Sequence, residues 1–206
     1  MTVGADGSNG YEERAEEFIA GRSRSLVGVP YVRDWARLLP PGAAILDLGC
    51  GSGIPISRAL IADGYSVSGV DASASMTAAF RDHFPHAPVA CEPVERSRFF
   101  DRTFDGVVSW DLMFLLSAET QPAVIRRVGA VLKPGGRFLF TSPEQVCTWT
   151  DILTGRRSMS LGSAAYEAAL QEAGLTLIDT HRDVDENFYY SAIKADRGER
   201  SNRTGR

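Results

Sequence analysis

Residues 45–53 read ILDLGCGSG, in which an apolar segment with one carboxylate is followed by three glycines at alternate positions. The apolar residues from Ala43 to Leu48 predict a buried strand, and the glycines let the backbone turn tightly and approach a ligand without side chains in the way. A helix that begins near Gly53 would direct its unpaired N–H groups at that ligand. The stretch therefore predicts one wall of a nucleotide-cofactor pocket.

A second carboxylate, Asp71, follows the next apolar strand, residues 66–70. The interval between Gly53 and Asp71 is long enough for one helix and a return strand. In sheets built this way, an acid at that place binds the hydroxyls of a ribose. We therefore expect Asp71 to hold a ribose diol.

The glycine spacing separates two classes of nucleotide-binding protein. A dinucleotide fingerprint has the pattern G-x-G-x-x-G. Counted from Gly49 the sixth residue is Ile54, and counted from Gly51 it is Ile56. The dehydrogenase pattern therefore fails.

The pattern present is Asp47-x-Gly49-x-Gly51-x-Gly53, which resembles motif I of the class I S-adenosylmethionine (SAM)-dependent methyltransferases. The resemblance continues in the correct order from about Tyr11 to Lys194. Its further members are the ribose-binding acid Asp71, the adenine-side segment Cys91-Glu92, the fourth strand at 104–108 and the LKPGG turn within 132–138. The resemblance implies a small-molecule methyltransferase, similar to the methyltransferase-11 and methyltransferase-25 groups, with SAM as cofactor and S-adenosylhomocysteine (SAH) as product.

Strand and helix patterns alternate after residue 42. The predicted strands are 43–48, 66–70, 87–91, 104–110 and 137–142, and the predicted helices between them are 54–63, 73–83 and 119–132. A further helix at 160–173 precedes strands at 175–181 and 187–195, whose short acidic connection requires an antiparallel pair. The alternation predicts an α/β, Rossmann-like, doubly wound sheet with helices on both faces, and the family resemblance implies seven strands with one reversed member at the edge.

The chain is expected to form a single methyltransferase domain over residues 11–195. Residues 1–10 and 196–206 are predicted to be disordered, and we expect removal of residues 1–9 to be harmless. Two amino-terminal helices, Tyr11–Ala20 and Leu26–Leu39, are predicted to form a lid within residues 11–40. Residues 143–159 read as irregular and would lie over the carboxyl ends of the strands, where such sheets bind ligands.

The predicted cofactor site begins with the glycine turn. Gly49, Cys50 and Gly51 would pass closest to the amino acid head and the ribose, while Gly53 and Ile54 open the helix. Asp47 would receive the amino group, or would instead only cap the turn. The other predicted cofactor-binding residues are Tyr11, Arg22, Asp71, Ala72, Ser73, Met76, Glu92, Val94, Ser109, Trp110 and Asp111.

Three of these assignments have open alternatives. Met76 could lie on the adenine or could be a plain core residue. Glu92 stands where the family usually has Asp, so the amides of Val94 and Glu95 are alternatives for the adenine contact. Arg22 and Tyr11 are candidates for the methionine carboxylate, because residues 11–18 resemble the helix that many small-molecule methyltransferases fold over SAM, but Arg22 could equally face water.

The acceptor site is less determined. The candidate general bases near the strand ends are Asp111, Glu144 and His181, and each of them could instead be a surface or structural group. Aromatic and apolar residues suited to a flat or greasy small molecule are Phe18, Met113, Phe114, Cys147, Trp149, Tyr189 and Tyr190. The motif [DN]-P-P-[YF] is absent after strand four, where the residues are SWDL at 109–112. No adjacent Asp-Asn pair follows strand five, so no metal is predicted.

Composition limits the partners. The 206 residues carry a formal net charge of −4 and a sequence pI near 5.4, which argues against nucleic acid as a partner. No apolar run approaches the roughly 18 residues that span a bilayer, and no secretory signal is recognised, so no membrane partner is expected. Three cysteines without CxxC spacing read as reduced thiols of a cytoplasmic protein, expected to be a monomer or homodimer. The alternatives are an RNA or protein methyltransferase and a SAM-binding protein without catalysis.

The glycine turn generates the first testable prediction. Replacing Gly51 by valine should abolish SAM binding and leave most of the sheet intact, because a side chain there would occupy the space through which the backbone approaches the cofactor. Calorimetry with SAM measures the affinity, and circular dichroism measures the fold. Normal SAM binding by the variant would show that the glycine turn is not the cofactor wall.

Overall fold

One seven-stranded sheet organises the chain in the computed structural model, which describes residues 7–196. The strands are β1 (Ala44–Leu48), β2 (Ser66–Asp71), β3 (Val89–Cys91), β4 (Phe104–Ser109), β5 (Leu132–Thr141), β6 (Val146–Thr150), β7 (Arg157–Leu161), β8 (Leu175–Arg182) and β9 (Phe188–Lys194). The sheet has the order β3-β2-β1-β4-β5-β9-β8, with β1 to β5 parallel. The predicted Rossmann-like fold is confirmed.

The reversed strand is β9, and it does not lie at the edge of the sheet as expected. It pairs antiparallel with both β5 and β8, so β8 forms the edge. The two strands differ in burial. Successive residues of β9, from Tyr189 to Ser191, are buried, whereas most residues of β8 are exposed. A strand that is apolar on both faces, such as β9, is buried by a neighbouring strand on each side, and the more polar strand, β8, occupies the edge of the sheet.

Helices cover both faces of this sheet. They are α1 (Ala15–Arg22), α2 (Val29–Ala36), α3 (Ile56–Ala62), α4 (Ala74–His83), α5 (Thr120–Val131) and α6 (Ser163–Glu172), with 3₁₀ turns at Glu12–Arg14, Phe99–Asp101 and Met113–Leu115. Within residues 7–196, no helix is long and apolar enough to cross a membrane.

Strands β6 and β7 form a separate antiparallel hairpin in the segment that was expected to be irregular. The sequence VCTWT at 146–150 is rich in β-branched and aromatic residues, and its exposure alternates along the strand. Gly162, at φ 80°, ends β7, so the helix expected from Ser160 begins at Ser163. The hairpin rises from the carboxyl ends of the parallel strands.

Two apolar clusters flank the sheet. Val32 and Trp35 of α2 pack with Ile45 of β1 on one face. On the other face Leu46 of β1 packs with residues of α5 and α6, among them Val124. Alternate residues of β1 therefore serve opposite layers, and this places the carboxyl end of β1 between them.

The central position of β1 generates a stability prediction. Leu46→Ala should lower the free energy of unfolding by about 2–5 kcal/mol, because Leu46 is fully buried and its truncation leaves a cavity. Urea denaturation measures the change. Ile178→Ala on the exposed edge strand is the matched control and should cost well under 1 kcal/mol, roughly the range of surface substitutions. Equal losses in the two variants would contradict the assignment of Leu46 to the core.

Candidate functional site

The glycine turn after β1 has the conformation that its sequence predicted. Gly49, Gly51 and Gly53 have φ values of 72°, 53° and 80°, in the left-handed region that side chains disfavour. A Cβ on Gly51 would lie 3.8 Å from the ring of Phe18 and 3.9 Å from the sulfur of Met76. Gly51 thus faces a cavity between these two side chains.

Asp71 holds this turn in place. One of its carboxylate oxygens accepts a hydrogen bond from the Gly51 amide at 2.8 Å, and the other accepts one from the Ser73 amide at 2.9 Å. Burial raises the pKa of Asp71, although both amide hydrogen bonds oppose the shift. Because each oxygen has one backbone donor, the plane of the carboxylate is fixed at the end of β2.

Asp47 lies behind the turn and is buried. Its carboxylate accepts a hydrogen bond from the Ser57 hydroxyl at 2.6 Å. Burial raises the pKa of Asp47 to about 7; the Ser57 hydrogen bond opposes this shift, and the charge of Asp71 adds to it. A nearby cation would therefore lower the pKa of Asp47 and favour its ionised form.

These groups open into a cavity of about 550 Å³ at the carboxyl ends of the strands. It brings together sixteen of the predicted site residues: Tyr11, Phe18, Arg22, Asp47, Gly49, Cys50, Gly51, Ile54, Asp71, Ala72, Met76, Val94, Trp110, Asp111, Phe114 and Trp149. Met76 lines the cavity and is buried at the same time.

An ion pair forms the wall opposite the glycine turn. Arg22 of α1 donates a hydrogen bond to Asp111 at 2.8 Å, and its guanidinium lies 4.5 Å from the ring centroid of Trp110. Asp111 has φ 60°, and its amide donates to the Thr141 hydroxyl at 2.8 Å. Burial raises the pKa of Asp111, while Arg22 opposes the shift. Arg22 is half-buried in this wall and not on a water-facing helix surface.

The amino-terminal segment closes one side of the cavity. Residues 7–9 line the cavity, although they were expected to be disordered and dispensable. Residues 1–6 of the predicted disordered segment lie outside the described residues, as do residues 197–206 of the predicted tail. The Ser8 carbonyl accepts from the Tyr11 amide and the Ser8 hydroxyl from the Glu12 amide, so Ser8 is held at the start of the 3₁₀ turn Glu12–Arg14 that precedes α1. The expectation that residues 1–9 can be removed harmlessly therefore conflicts with this geometry.

Two contacts fasten this segment to the rest of the protein. The Tyr11 hydroxyl donates to Asp151 in the turn of the β6–β7 hairpin at 3.1 Å. Glu12 accepts from the Ser75 amide at 3.1 Å and from the Ser75 hydroxyl at 2.7 Å, at the amino terminus of α4. Hydrogen bonds from Ser73 and Ser75 lower the pKa of Glu12, so it stays ionised where the helix dipole favours an anion.

Four predicted cofactor residues do not line the cavity: Gly53, Ser73, Glu92 and Ser109. A Cβ on Gly53 would clash with Phe80 and Phe84, so this glycine serves helix packing. Ser73 caps α4 by accepting from the Met76 amide. The side chain of Glu92 is outside the lining, whereas its alternatives Val94 and Glu95 are part of it.

Several predicted acceptor and catalytic residues also lie elsewhere: Met113, Cys147, Tyr189, Tyr190, Glu144 and His181. Met113, Tyr189 and Tyr190 are fully buried core residues. Glu144 forms an exposed ion pair with Arg182, and His181 stacks on Tyr31 at the exposed edge strand. The displacement of His181 follows from the position of β8, because a strand at the sheet edge is far from the central crevice. Neither residue is placed to act as a base in this cavity.

Sequence reasoning missed part of the lining: Gly7, Ser8, Asn9, Pro55, Ile56, Leu112, Leu115, Leu116, Asp151, Ile152, Leu153 and Asn187. The leucines follow strand four in the sequence SWDLMFLL, and their position after a strand end was the available signal. Asp151 and Asn187 lie in turns, and no local pattern distinguishes them. Among residues 7–196 there is no group of three or more His, Cys, Asp or Glu side chains placed to hold a metal ion.

Comparison with known proteins agrees with this geometry. A model described as a methyltransferase domain matches residues 45–136, which span the glycine turn, Asp71 and the LKPGG turn. The matched segment, which is less than half of the chain, is similar to a methyltransferase domain. It is 31% identical over 147 residues to phosphoethanolamine N-methyltransferase 3 of Arabidopsis thaliana, covering 66% of this chain and 29% of that protein.

Solved methyltransferase structures share the fold over nearly the whole chain. The 1,6-didemethyltoxoflavin-N1-methyltransferase of Burkholderia thailandensis, with bound 1,6-didemethyltoxoflavin and SAH, is 18% identical, covers 95% of this chain and 93% of its own, and has a TM-score of 0.71. The CcbJ methyltransferase of Streptomyces caelestis is also 18% identical, with coverages of 93% and 98% and a TM-score of 0.73. By contrast, this chain spans less than half the length of the curated relatives it matches.

The fixed carboxylate of Asp71 generates a prediction about cofactor binding. Asp71→Ala should cost on the order of 2–3 kcal/mol of SAH affinity, since it removes the paired oxygens that face the cavity and leaves ligand hydroxyls without acceptors. Calorimetry measures the loss. Asp101→Asn, an exposed carboxylate outside the cavity, is the control and should bind SAH normally. Unchanged affinity in a folded Asp71→Ala protein would remove Asp71 from the cofactor site.

The amino-terminal segment generates a second prediction. Deletion of residues 1–9 should weaken SAH binding by about tenfold, or about 1.4 kcal/mol, because it removes three lining residues and the Ser8 contacts to Tyr11 and Glu12. Deletion of residues 1–6 keeps every described lining residue and is the comparison. If both shortened proteins bind SAH as the full chain does, residues 7–9 are not part of the cofactor site.

Proposed function

We propose that this chain binds SAM in the 550 Å³ cavity and transfers its methyl group to an oxygen or nitrogen atom of a small organic acceptor. The observation that carries the proposal is the joint geometry of the open glycine turn and the fixed Asp71 carboxylate, in a fold and family of methyltransferases. When bound, SAM supplies a methyl group on a sulfonium, a strongly activated leaving group, so positioning provides much of the rate.

The cofactor end of the cavity is assigned by chemistry. Asp71 would accept from both ribose hydroxyls, because its two oxygens are held side by side by backbone amides. Asp47 would face the ammonium of the methionine moiety across the glycine turn. Val94 and Glu95 follow β3 and line the cavity, so their segment would flank the adenine.

The middle of the cavity would hold the charged parts of the cofactor. Arg22 would bind the methionine carboxylate, as it is the lining cation among the described residues. Trp110 lies under the Arg22 guanidinium and would help to position it, since a ring quadrupole attracts a cation. Asp111, beside both, is the carboxylate best placed to accept a proton from the acceptor.

We further propose that residues 11–195 act as one domain, in the cytoplasm and without a nucleic acid partner. Cys50, Cys91 and Cys147 are free thiols in the structure, in keeping with a reducing compartment. The negative net charge supports a small-molecule acceptor over a polyanion.

Labelled methyl transfer tests the proposed function. The full chain is incubated with methyl-labelled SAM and a cell extract that has been divided into small metabolites and macromolecules. We expect label in the small-metabolite fraction and none with the Gly51→Val variant. Label only in protein or RNA would favour a macromolecular methyltransferase, and SAM binding without transfer to either fraction would contradict catalysis.

The raised pKa of Asp47 predicts how SAH affinity depends on pH. The pKa of Asp47 in the folded protein is about 7, above the value of about 3.9 in the unfolded chain. The neutral carboxyl therefore makes its full contribution to the free energy of unfolding below about pH 4, and this contribution is lost as the pH rises through 7. A bound ammonium favours the ionised form. SAH binding should therefore release a proton below pH 7 and tighten as the pH rises from about 6 to about 8.

Calorimetry in two buffers of different ionisation enthalpy measures that proton release. Asp71 shifts in the same direction, so a variant is needed to separate the two groups. Asp47→Asn should bind SAH more weakly and with a flatter pH dependence. An unchanged pH profile in this variant would assign the proton to another group.

A further inference from the structure

The lining of the cavity has an excess of negative charge. Its ionisable carboxylates are Asp47, Asp71, Glu95, Asp111 and Asp151, and its cation among the described residues is Arg22. Under the proposed function, Asp47 and Asp71 face the cofactor, and Glu95 lies with Val94 on the adenine side. Asp111 and Asp151 remain for the acceptor.

One carboxylate oxygen of Asp151 can accept a further hydrogen bond. Its Oδ1 accepts from the amides of Leu153 and Thr154 and from the Thr154 hydroxyl, which closes the hairpin turn. Among residues 7–196, its Oδ2 accepts from the Tyr11 hydroxyl alone. A carboxylate oxygen has room for a second donor, so Oδ2 can accept from a ligand without losing Tyr11.

Asn187 presents a further acceptor atom. Its amide nitrogen donates to both oxygens of Asp183, at 3.3 and 3.0 Å. Burial raises the pKa of Asp183, but hydrogen bonds from Asn187 and Tyr189 outweigh it and hold that pKa low, so the carboxylate only accepts. The amide nitrogen of Asn187 therefore must face Asp183, and its oxygen faces away, in a residue that lines the cavity.

Aromatic faces complete this part of the wall. The rings of Phe114 and Trp149 lie 5.4 Å apart at a tilt of 49°, and both line the cavity. Arg22 lies over the rings of Phe18 and Trp110, and within residues 7–196 no cation lies over Phe114 or Trp149. Their faces are thus available to a cation, which such rings attract.

We infer that the acceptor is an amine that carries a positive charge in solution, recognised by Asp151, Asn187 and the Phe114–Trp149 pair, with Asp111 as the proton acceptor. The inference rests on the proposed function and specifies its substrate class. Carboxylate and amide oxygens bind N–H donors, and anionic acceptors such as carboxylic acids would meet like charge.

Methyl transfer to an amine balances in protons and bonds with the groups at this site. The ammonium first gives one proton to Asp111 or to water, which frees a lone pair on nitrogen. That nitrogen forms a bond to the methyl carbon as the carbon–sulfur bond breaks, and sulfur keeps the bonding pair to become the neutral thioether of SAH. The product is a methylated ammonium that keeps its positive charge, and Asp111 or water passes the proton taken in the first step to solvent.

The test identifies the methylated atom. The full chain is incubated with trideuteriomethyl SAM and the small metabolites of a cell extract, and products are found by their mass shift after cation exchange. We expect labelled products that the exchanger retains and whose fragments carry the label on nitrogen. Label on oxygen or carbon would overturn the amine inference and leave the proposed methyltransferase function standing, whereas no labelled product despite SAH binding would contradict both.

Asp151→Asn tests the recognition itself. In this variant the amide oxygen can still accept from the turn, and the amide nitrogen can donate to the Tyr11 hydroxyl, so the shape stays while the charge is lost. We expect transfer to the amine to fall on the order of tenfold, with SAH affinity within about twofold of the parent. Glu172→Gln, an exposed carboxylate on α6, is the control and should be unaffected. Unchanged transfer in Asp151→Asn would remove Asp151 from acceptor recognition.

Discussion

The two hydrogen bonds that Asp71 accepts from backbone amides are the contacts on which the cofactor end depends. Asp71 ends β2, Gly51 lies in the turn after β1, and Ser73 caps α4, so one side chain joins three elements. Ser73 also donates its hydroxyl to Glu12, which extends the chain of contacts to the amino-terminal segment. The orientation of the carboxylate is therefore set by backbone before any ligand arrives, the kind of preorganisation that lowers the cost of binding.

The same arrangement gathers acids that repel one another. Asp47, Asp71 and Asp111 all have raised pKa values because burial disfavours their charged forms, and Asp71 adds its charge against Asp47. Arg22 relieves only Asp111. A ligand that brings positive charge would lower the free energy of this site most, because it would favour the ionised carboxylates that burial disfavours; a sulfonium and an ammonium meet that requirement.

Local sequence was sufficient for the parts of the structure that local geometry determines. The turn from Asp47 to Gly53 and the acid at Asp71 follow from strand periodicity and glycine spacing, and the structure places them as expected. The failures concern pairing over long distances. Tyr11 and Asp151 are 140 positions apart, and the local sequence around either residue gives no indication of their contact. His181 was misplaced for the same reason, since the order of β8 and β9 in the sheet depends on which strand is apolar on both faces.

This division also separates the two ends of the cavity. The cofactor end is built on strand ends, where the sheet fixes atoms closely, whereas the acceptor end is built from the amino-terminal segment and the turns that carry Asp151 and Asn187. Loops on a rigid scaffold tolerate change, so a fold can keep its cofactor and vary its acceptor. In this protein one hydrogen bond, from Tyr11 to Asp151, links two of those loops across the cavity. A hydrogen bond to a charged group contributes about 1.5–3 kcal/mol, so this contact helps to hold both loops in place at the acceptor end of the cavity.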